Sequence, residues 1–311
     1  MKFFRFTAAG AALLAFALAV LGSWVRINGA GMTCPDWPLC RGKLIPSLIG
    51  GVVLEWSHRA IALTVGFVII AAFVAGWRMR KRIAGVVPTL FVLVGVFALQ
   101  VIVGGITIHE SNSPRSVALH WGVAMILLAT LVFLALLAFL APPAGSGLPA
   151  IRAGAPIGAL AGTVLLAYFT MVIGSYVSSS GAGLACLTVP ACDGSLMGST
   201  PAQMVQMLHR TAAALFVISA LAAAAVAARS GMPRVRGWAF AGAAVALLQL
   251  TLGLSNVVWR MPTLLREAHA ANASITFIIF IVAMSLAMLD PLREPAGTLS
   301  QGRSSRVSTT S

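Results

Sequence analysis

Eight long apolar stretches alternate with short polar segments along this chain of 311 residues. Each holds about 20 residues or more, the length at which a helix rising about 1.5 Å per residue crosses a hydrocarbon layer of ~30 Å. The pattern predicts an all-α integral membrane protein whose eight transmembrane helices form two pseudo-symmetric four-helix bundles. We place the helices at about residues 6–25, 52–77, 83–108, 116–140, 155–177, 203–228, 237–258 and 264–289.

A connector rich in proline and glycine separates the predicted helices into two sets of four. Residues 1–140 form the predicted N-terminal half, residues 141–156 the linker, and residues 157–290 the C-terminal half. Residues 291–311 are polar, basic and rich in serine, which predicts a disordered tail on the cytoplasmic side of the membrane.

An internal repeat links the two halves. The segment at 22–40 returns at 174–192, a constant 152 residues later, with 9 of its 19 positions identical, where roughly two identities are expected by chance. The first copy reads GSWVRINGAGMTCPDWPLC and the second GSYVSSSGAGLACLTVPAC. The first apolar stretch follows Lys2 and Arg5 as a signal peptide would. Because its counterpart is the fifth helix, inside the chain, we predict a retained helix.

Composition and charge agree with a membrane protein and orient it. Hydrophobic residues make up 59% of the chain and charged residues 9%, with a mean hydropathy of +0.96, whereas soluble domains carry about 25% charge. Of the lysines and arginines in or beside the loops, thirteen fall on the side of the N-terminus and six on the other. This asymmetry predicts a multi-pass protein of the cell membrane with both termini cytoplasmic. The net charge of +14 therefore suits anionic membrane lipids and is not a nucleic-acid footprint.

Two cysteine pairs, Cys34 with Cys40 and Cys186 with Cys192, lie in matched loops on the predicted outer side. Disulfides persist in that compartment, and each pair encloses a proline suited to a turn. We predict one disulfide in each loop, which shapes a lid more than it stabilises the fold. A redox-active dithiol is the main alternative. A zinc site is disfavoured because the spacing is not C-x-x-C and no histidine lies nearby in sequence.

Four of the five histidines fall at matched positions near the outer ends of the even-numbered helices. His58 and His209 are 151 residues apart, and His120 and His269 are 149 apart. Polar groups at membrane depth tend to face the interior of a bundle, where imidazoles on two helices can ligate a haem iron from both sides. We predict a bis-histidine haem site in each half. Hydrogen-bonded structural histidines and a zinc site are the alternatives.

The helix before each second histidine carries matched small and polar residues. Gly104 aligns with Gly253 and Gln100 with Gln249, both at an offset of 149. The glycines leave room for a flat macrocycle. The fifth histidine, His109, has no matched partner, and we predict that it is a solvated loop residue.

Carboxylates distinguish the two halves. Glu55 precedes His58 by three residues on the same helix face, whereas the matched position holds Gln206. A carboxylate beside an apolar pocket can accept a proton or stabilise developing positive charge. Only the N-terminal half can therefore do carboxylate chemistry at this position, although a salt bridge to Arg59 is an alternative role for Glu55. Glu267 is predicted to lie on the outer surface.

Arg59 and Arg210 directly follow the histidines of the second and sixth helices. A guanidinium at the edge of the apolar layer needs a partner or must snorkel to water. We predict that each arginine pairs with a haem propionate, since guanidinium and carboxylate pair bidentately. Snorkelling to lipid headgroups is the alternative.

These residues resemble the bacterial haem A synthase family. The resemblance covers about residues 5–290 and rests on the CPDWPLC loop, the E-x-x-H-R motif, the second L-H-R motif and the duplicated eight-helix layout. That family oxidises one methyl group of haem O to a formyl group, making haem A for terminal oxidases. The resemblance implies these roles: a catalytic carboxylate at Glu55, ligands to the substrate haem O at His58 and His120, and ligands to a haem b cofactor at His209 and His269.

The resemblance also implies candidate partner proteins, and two alternative functions stay open. Haem O synthase and oxidase assembly factors are the candidate partner proteins. A di-haem b-type electron-transfer protein would use all four histidines but would need no carboxylate asymmetry, and it would usually place haems near both membrane faces. A haem carrier would bind haem without altering it.

Overall fold

The computed structural model describes residues 1–140, 148 and 151–289. Within them the chain forms eight α-helices, each long and apolar enough to cross a membrane, and one 3₁₀ turn at Ala182–Leu184. The helices are α1 (Lys2–Ile27), α2 (Gly51–Arg78), α3 (Val86–His109), α4 (Pro114–Leu140), α5 (Ile157–Ser179), α6 (Pro201–Ala228), α7 (Pro233–Val258) and α8 (Thr263–Leu289). The all-α, eight-span prediction is confirmed, and the protein is a multi-pass membrane protein.

Two predicted segments cannot be compared in full. The linker predicted at 141–156 lies partly, and the tail predicted at 291–311 wholly, outside the described residues. The division of the chain into two domains at these boundaries therefore stays a prediction.

Local sequence signals define where several helices begin. At the start of α6, the backbone N–H of Gln203 donates to the Thr200 hydroxyl, and the Gln203 side chain accepts from the backbone N–H of Thr200. This reciprocal capping box satisfies two backbone donors that a helix end leaves free. Pro201 and Pro233 occupy the first positions of α6 and α7, where a missing N–H is tolerated. Gly85 precedes α3 with a φ of +75°, a conformation that suits glycine.

Both disulfide loops lie at one end of the bundle, which we call the loop end. It carries residues 28–50 and 180–200, because successive helices alternate in direction. The two large buried apolar clusters concentrate away from this end, and two small ones surround the disulfides. Buried polar side chains, among them Glu55, Gln206 and Asn256, lie near it. Burying polar groups is costly without partners, so polar side chains buried together at the loop end indicate a candidate functional site there.

Helix packing follows a similar scheme in each half. In the N-terminal half α1 packs against α2 and α4, and α3 packs against α4; in the C-terminal half α5 packs against α6 and α8, and α7 against α8. The halves meet where α4 contacts α5 and α8 and where α1 contacts α8. One difference stands out: α6 and α7 pack extensively, whereas the contact between α2 and α3 is much smaller.

Repeat-equivalent residues meet between the halves. The Arg26 guanidinium donates to the Ser178 hydroxyl at 2.8 Å, across an offset of 152 residues. The Ser274 hydroxyl approaches the Met125 sulfur at 3.9 Å, across an offset of 149. Both contacts join residues that the repeat aligns, and the arrangement of the eight helices as two pseudo-symmetric bundles stays a prediction.

Candidate functional site

Each loop at the loop end contains one disulfide. Cys34 is bonded to Cys40 and Cys186 to Cys192, with Cα–Cα distances of 4.6 and 4.8 Å. All four cysteines are buried, and a short antiparallel bridge closes each loop just after its second cysteine. The predicted disulfides are therefore confirmed.

The first loop is clamped to α2 by Glu55 and Arg59. One Glu55 carboxylate oxygen accepts from the backbone N–H of Cys34 at 2.7 Å and from the Thr33 hydroxyl at 2.9 Å. The other oxygen accepts from the Arg59 guanidinium at 2.7 Å, which forms an ion pair between two residues one helical turn apart. Arg59 also donates to the loop carbonyls of Cys34, Asp36 and Leu39 at 2.6 to 2.7 Å. Glu55 is only 3% exposed, so the clamp is a buried polar network.

The second loop is clamped to α6 in the same way. The Gln206 carbonyl oxygen accepts from the backbone N–H of Cys186 at 2.6 Å, and its amide donates to the carbonyl of Gly183 at 2.8 Å. The Arg210 guanidinium donates to the carbonyls of Cys186 at 2.8 Å and Thr188 at 2.6 Å. Both clamps thus hold the backbone of the first loop cysteine, but the N-terminal one contains a carboxylate paired with its arginine, and the C-terminal one a neutral amide bonded to the loop backbone.

This geometry bears on the predicted roles of the clamp residues. The salt bridge between Glu55 and Arg59, considered above as an alternative role for Glu55, is present. The guanidinium groups of Arg59 and Arg210 contact loop carbonyls, and their pairing with haem propionates stays a prediction. On the loop itself, backbone N–H groups of Gly42 and Arg41 donate to Asp36 and hold the pKa of its carboxyl below the usual value.

Each of the four matched histidines packs against a glycine on the preceding helix. A Cβ atom at the glycine would lie 2.7 to 3.3 Å from the imidazole Cε1 in every case. The pairs are Gly22 with His58, Gly104 with His120, Gly174 with His209, and Gly253 with His269. At Gly22 and Gly174 a Cβ would force the imidazole to move, and at Gly104 and Gly253 it would make a tight contact. The repeat had aligned these glycines, but their contact with the histidines was not predicted.

Polar side chains on α3 and α7 approach the second histidine of each pair. The Gln100 amide nitrogen lies 3.3 Å from Nε2 of His120, and the Gln249 amide nitrogen lies 3.2 Å from Nε2 of His269. Asn272 donates to the Gln249 carbonyl at 2.8 Å and so fixes that amide. The repeat had aligned the two glutamines, but their contact with the histidines was not predicted.

The first histidine of each pair has different surroundings. His209 Nδ1 lies 3.2 Å from the Thr170 carbonyl oxygen. His58 Nδ1 is buried, and no hydrogen-bond partner for it lies within the described residues. The two histidines of each half lie near the loop ends of their helices, His58 and His120 in α2 and α4, and His209 and His269 in α6 and α8.

The donor set of each half suits a haem iron. No group of three or more His, Cys, Asp or Glu side chains converges on a metal position in the part of the chain that the structure describes, which argues against a zinc site with three or four such protein ligands. Two imidazoles are the protein ligands that a bis-histidine haem requires, and the glycine beside each imidazole lets the ring lie close to the preceding helix.

Two further predictions concern residues near the site. His109 is the last residue of α3 and is exposed, as predicted for a solvated residue. The prediction that Glu267 lies on the outer surface is wrong. Both its carboxylate oxygens are buried, near Ser23 and Arg26 of α1 at the junction of the halves. The error arose because sequence position gives depth along α8 but not the face on which a side chain lies.

The fold and this site define a class: an eight-helix membrane protein with two matched histidine pairs beneath two clamped disulfide loops. A family model described as cytochrome oxidase assembly protein, COX15-CtaA, matches residues 5–49 and 51–281. The chain belongs to this family, which confirms the resemblance found in the sequence.

Individual relatives agree. A protein of Bacillus licheniformis named haem A synthase is 32% identical over 266 residues, covering 82% of this chain and 86% of its own length. A haem A synthase of Geobacillus kaustophilus is 30% identical over 292 residues, covering 90% of each chain. A third, from Geobacillus thermodenitrificans, is 30% identical over 284 residues and covers 88% of each.

Proposed function

We propose that this chain is a haem A synthase, an enzyme that oxidises one methyl group of haem O to a formyl group. The names of its relatives support this activity over electron transfer alone or haem carriage. The observation that carries the proposal is the pairing of two similar histidine sites with one carboxylate, Glu55, where the other half has Gln206. Two halves can hold a haem, but only one can also act on it through a carboxylate.

The N-terminal half holds the substrate in this proposal. His58 and His120 bind haem O through its iron, and Gln100 lies beside the imidazole of His120. In the C-terminal half His209 and His269 hold a haem b, which supplies one-electron chemistry when bound. Gln249, itself fixed by Asn272, lies beside the imidazole of His269.

Glu55 serves the chemistry of the methyl group. In each round, replacing a C–H bond by C–O with oxygen from water releases two protons and two electrons; the electrons leave to an electron acceptor, and the methyl carbon is electron-poor while they leave. A buried carboxylate one turn from His58 can stabilise the positive charge and accept a proton. A second round gives a geminal diol, which loses water to leave the formyl group.

The proposal includes an orientation and partners. Both disulfide loops and all four paired histidines lie toward the loop end, and the charge asymmetry of the loops supports an orientation with that end outside the cell membrane. Both termini are then cytoplasmic. Haem O synthase, as the supplier of the substrate, and oxidase assembly factors, as receivers of the product, are the partners we infer.

The direct test supplies haem O to the purified full-length protein with an electron acceptor and identifies the product by mass spectrometry. The proposal expects the hydroxymethyl derivative and then haem A. Recovery of unchanged haem O, with both haem sites filled, would favour the electron-transfer or carrier alternative.

Substituting the glycine under a histidine should displace a haem ligand. In Gly174→Ala the new Cβ would lie 2.7 Å from His209 Cε1, so the imidazole must move in a tightly packed interior. We expect the haem b content to fall about tenfold, in the range seen when ligand orientation is disturbed. Gly162→Ala, on the same helix with nothing within 4 Å of its Cβ, is the control. Full haem b content in Gly174→Ala would refute the proposed ligand geometry.

Removing the two clamp arginines should have unequal effects. Arg59→Met leaves the Glu55 carboxylate buried beside the loop without its ion-pair partner, which should cost about 3 kcal/mol of stability. Arg210→Met removes the donor to the loop carbonyls of Cys186 and Thr188 but leaves no buried charge unpaired, and it should cost about 1 kcal/mol. Thermal unfolding of the full chain in detergent measures both. Equal losses would mean that the ion pair contributes nothing beyond its hydrogen bonds.

A further inference from the structure

A tryptophan of the first loop reaches across the N-terminal half. The Trp37 indole lies on Gly105 of α3, with three ring carbons 3.6 to 3.8 Å from the position that a Cβ of Gly105 would take. The adjacent residue, Gly104, faces the imidazole of His120. The indole and the imidazole therefore occupy neighbouring faces of the same turn of α3.

The clamp determines where this indole lies. Arg59 donates to the carbonyls of Asp36 and Leu39, on either side of Trp37, while Glu55 accepts from the backbone of Cys34. The loop thus joins α2 to α3 through Trp37. This matters because α2 and α3 contact each other far less than α6 and α7 do. Among their contacts, Phe97 meets Gly66 midway along the helices.

The matched positions of the C-terminal half hold different residues. Val189 stands at the position of Trp37, and Leu254 at the position of Gly105. Trp37 is 48% exposed, so about half of a large aromatic surface beside the His58 and His120 site is free to contact another molecule. Stacking of aromatic rings adds about 0.5–1.5 kcal/mol beyond the burial of area.

We propose that Trp37 is a specificity-determining residue that contacts the flat, apolar macrocycle held by His58 and His120. This inference rests on the proposed function for the identity of that macrocycle, a haem that carries a lipid tail. Trp37 forms the wall of the N-terminal site on the side between α2 and α3. Because α2 and α3 pack only weakly against each other, the loop supplies the wall of the site on that side.

The test is titration of haem O into the full-length protein in detergent, followed by its visible spectrum. Trp37→Ala should weaken haem O binding about tenfold, which corresponds to the loss of one aromatic contact. Trp37→Phe, which keeps an aromatic face, should stay within about threefold of wild type. Val189→Ala should leave binding unchanged, and the haem b content of the C-terminal half should be unaffected in all variants.

A second variant guards against misfolding of the loop. Gly105→Leu installs the residue of the C-terminal half and should displace the indole with the loop sequence intact, again weakening haem O binding about tenfold. Wild-type affinity in both Trp37→Ala and Gly105→Leu would overturn the inference, as would an equal loss in Val189→Ala. If the wild-type protein binds haem O but never oxidises it, the proposed function fails while the binding result still decides the role of Trp37.

Discussion

Glu55→Gln should retain both haem sites and lose the oxidation of haem O by at least a hundredfold. Gln206 shows that glutamine can accept from the backbone N–H at this position and hold the loop, because it does so with Cys186 at 2.6 Å. The substitution therefore removes the charge and the proton acceptor but keeps the clamp. General acid–base and electrostatic contributions of one group are typically 10²–10⁴-fold. The measurement is the ratio of haem O, hydroxylated haem and haem A extracted from cells that express the variant.

The matched control is Gln206→Glu. It places a carboxylate in the C-terminal clamp, where the proposal assigns no chemistry, so haem A formation should continue. Normal haem A output from Glu55→Gln would remove Glu55 from the mechanism and leave it a purely structural role in the clamp.

Replacing one of the paired histidines by alanine should remove the haem from its own half and leave the haem of the other half bound. His209→Ala removes one of two axial ligands in the C-terminal half, and we expect its haem b content to fall at least tenfold, since even disturbing the orientation of a ligand costs 10–100-fold. His58→Ala should instead prevent retention of haem O while haem b stays bound. Pyridine haemochrome analysis of the purified variants measures both contents.

The control for this pair is His109→Ala. His109 is exposed at the end of α3, so its removal should change neither haem. Retention of haem b in both His209→Ala and His269→Ala would contradict the proposed ligation in the C-terminal half.

The repeat explains why much of this protein was predictable. A constant offset carried the pairing of Cys34 with Cys40, and of the matched loop cysteines, from one half to the other. The apolar runs were long enough that the eight helices could be placed within four residues of their observed ends. The glycines under the histidines were aligned as well, yet their contact could not be inferred, since alignment says nothing about which helix faces touch.

The hydrogen bonds of the two clamps could not be predicted from the sequence. Arg59 and Arg210 were predicted to pair with haem propionates, but most of their observed acceptors are main-chain carbonyls of the loops. Because every residue has a main-chain carbonyl, the sequence does not show which of them will accept. The contact of Trp37 with α3 was not predicted for a related reason. Its partner is a glycine, Gly105, whose only contribution is the space that allows the indole to approach.

The haem content of the purified wild-type protein, by chemical type and stoichiometry, tests the central claim most directly. The account predicts two sites: haem b in the C-terminal half, and haem O, its hydroxylated form or haem A in the N-terminal half. His209→Ala should remove the first and His58→Ala the second. A protein that contains unmodified haem b alone, or no haem at all after purification from cells that make haem O, would contradict it.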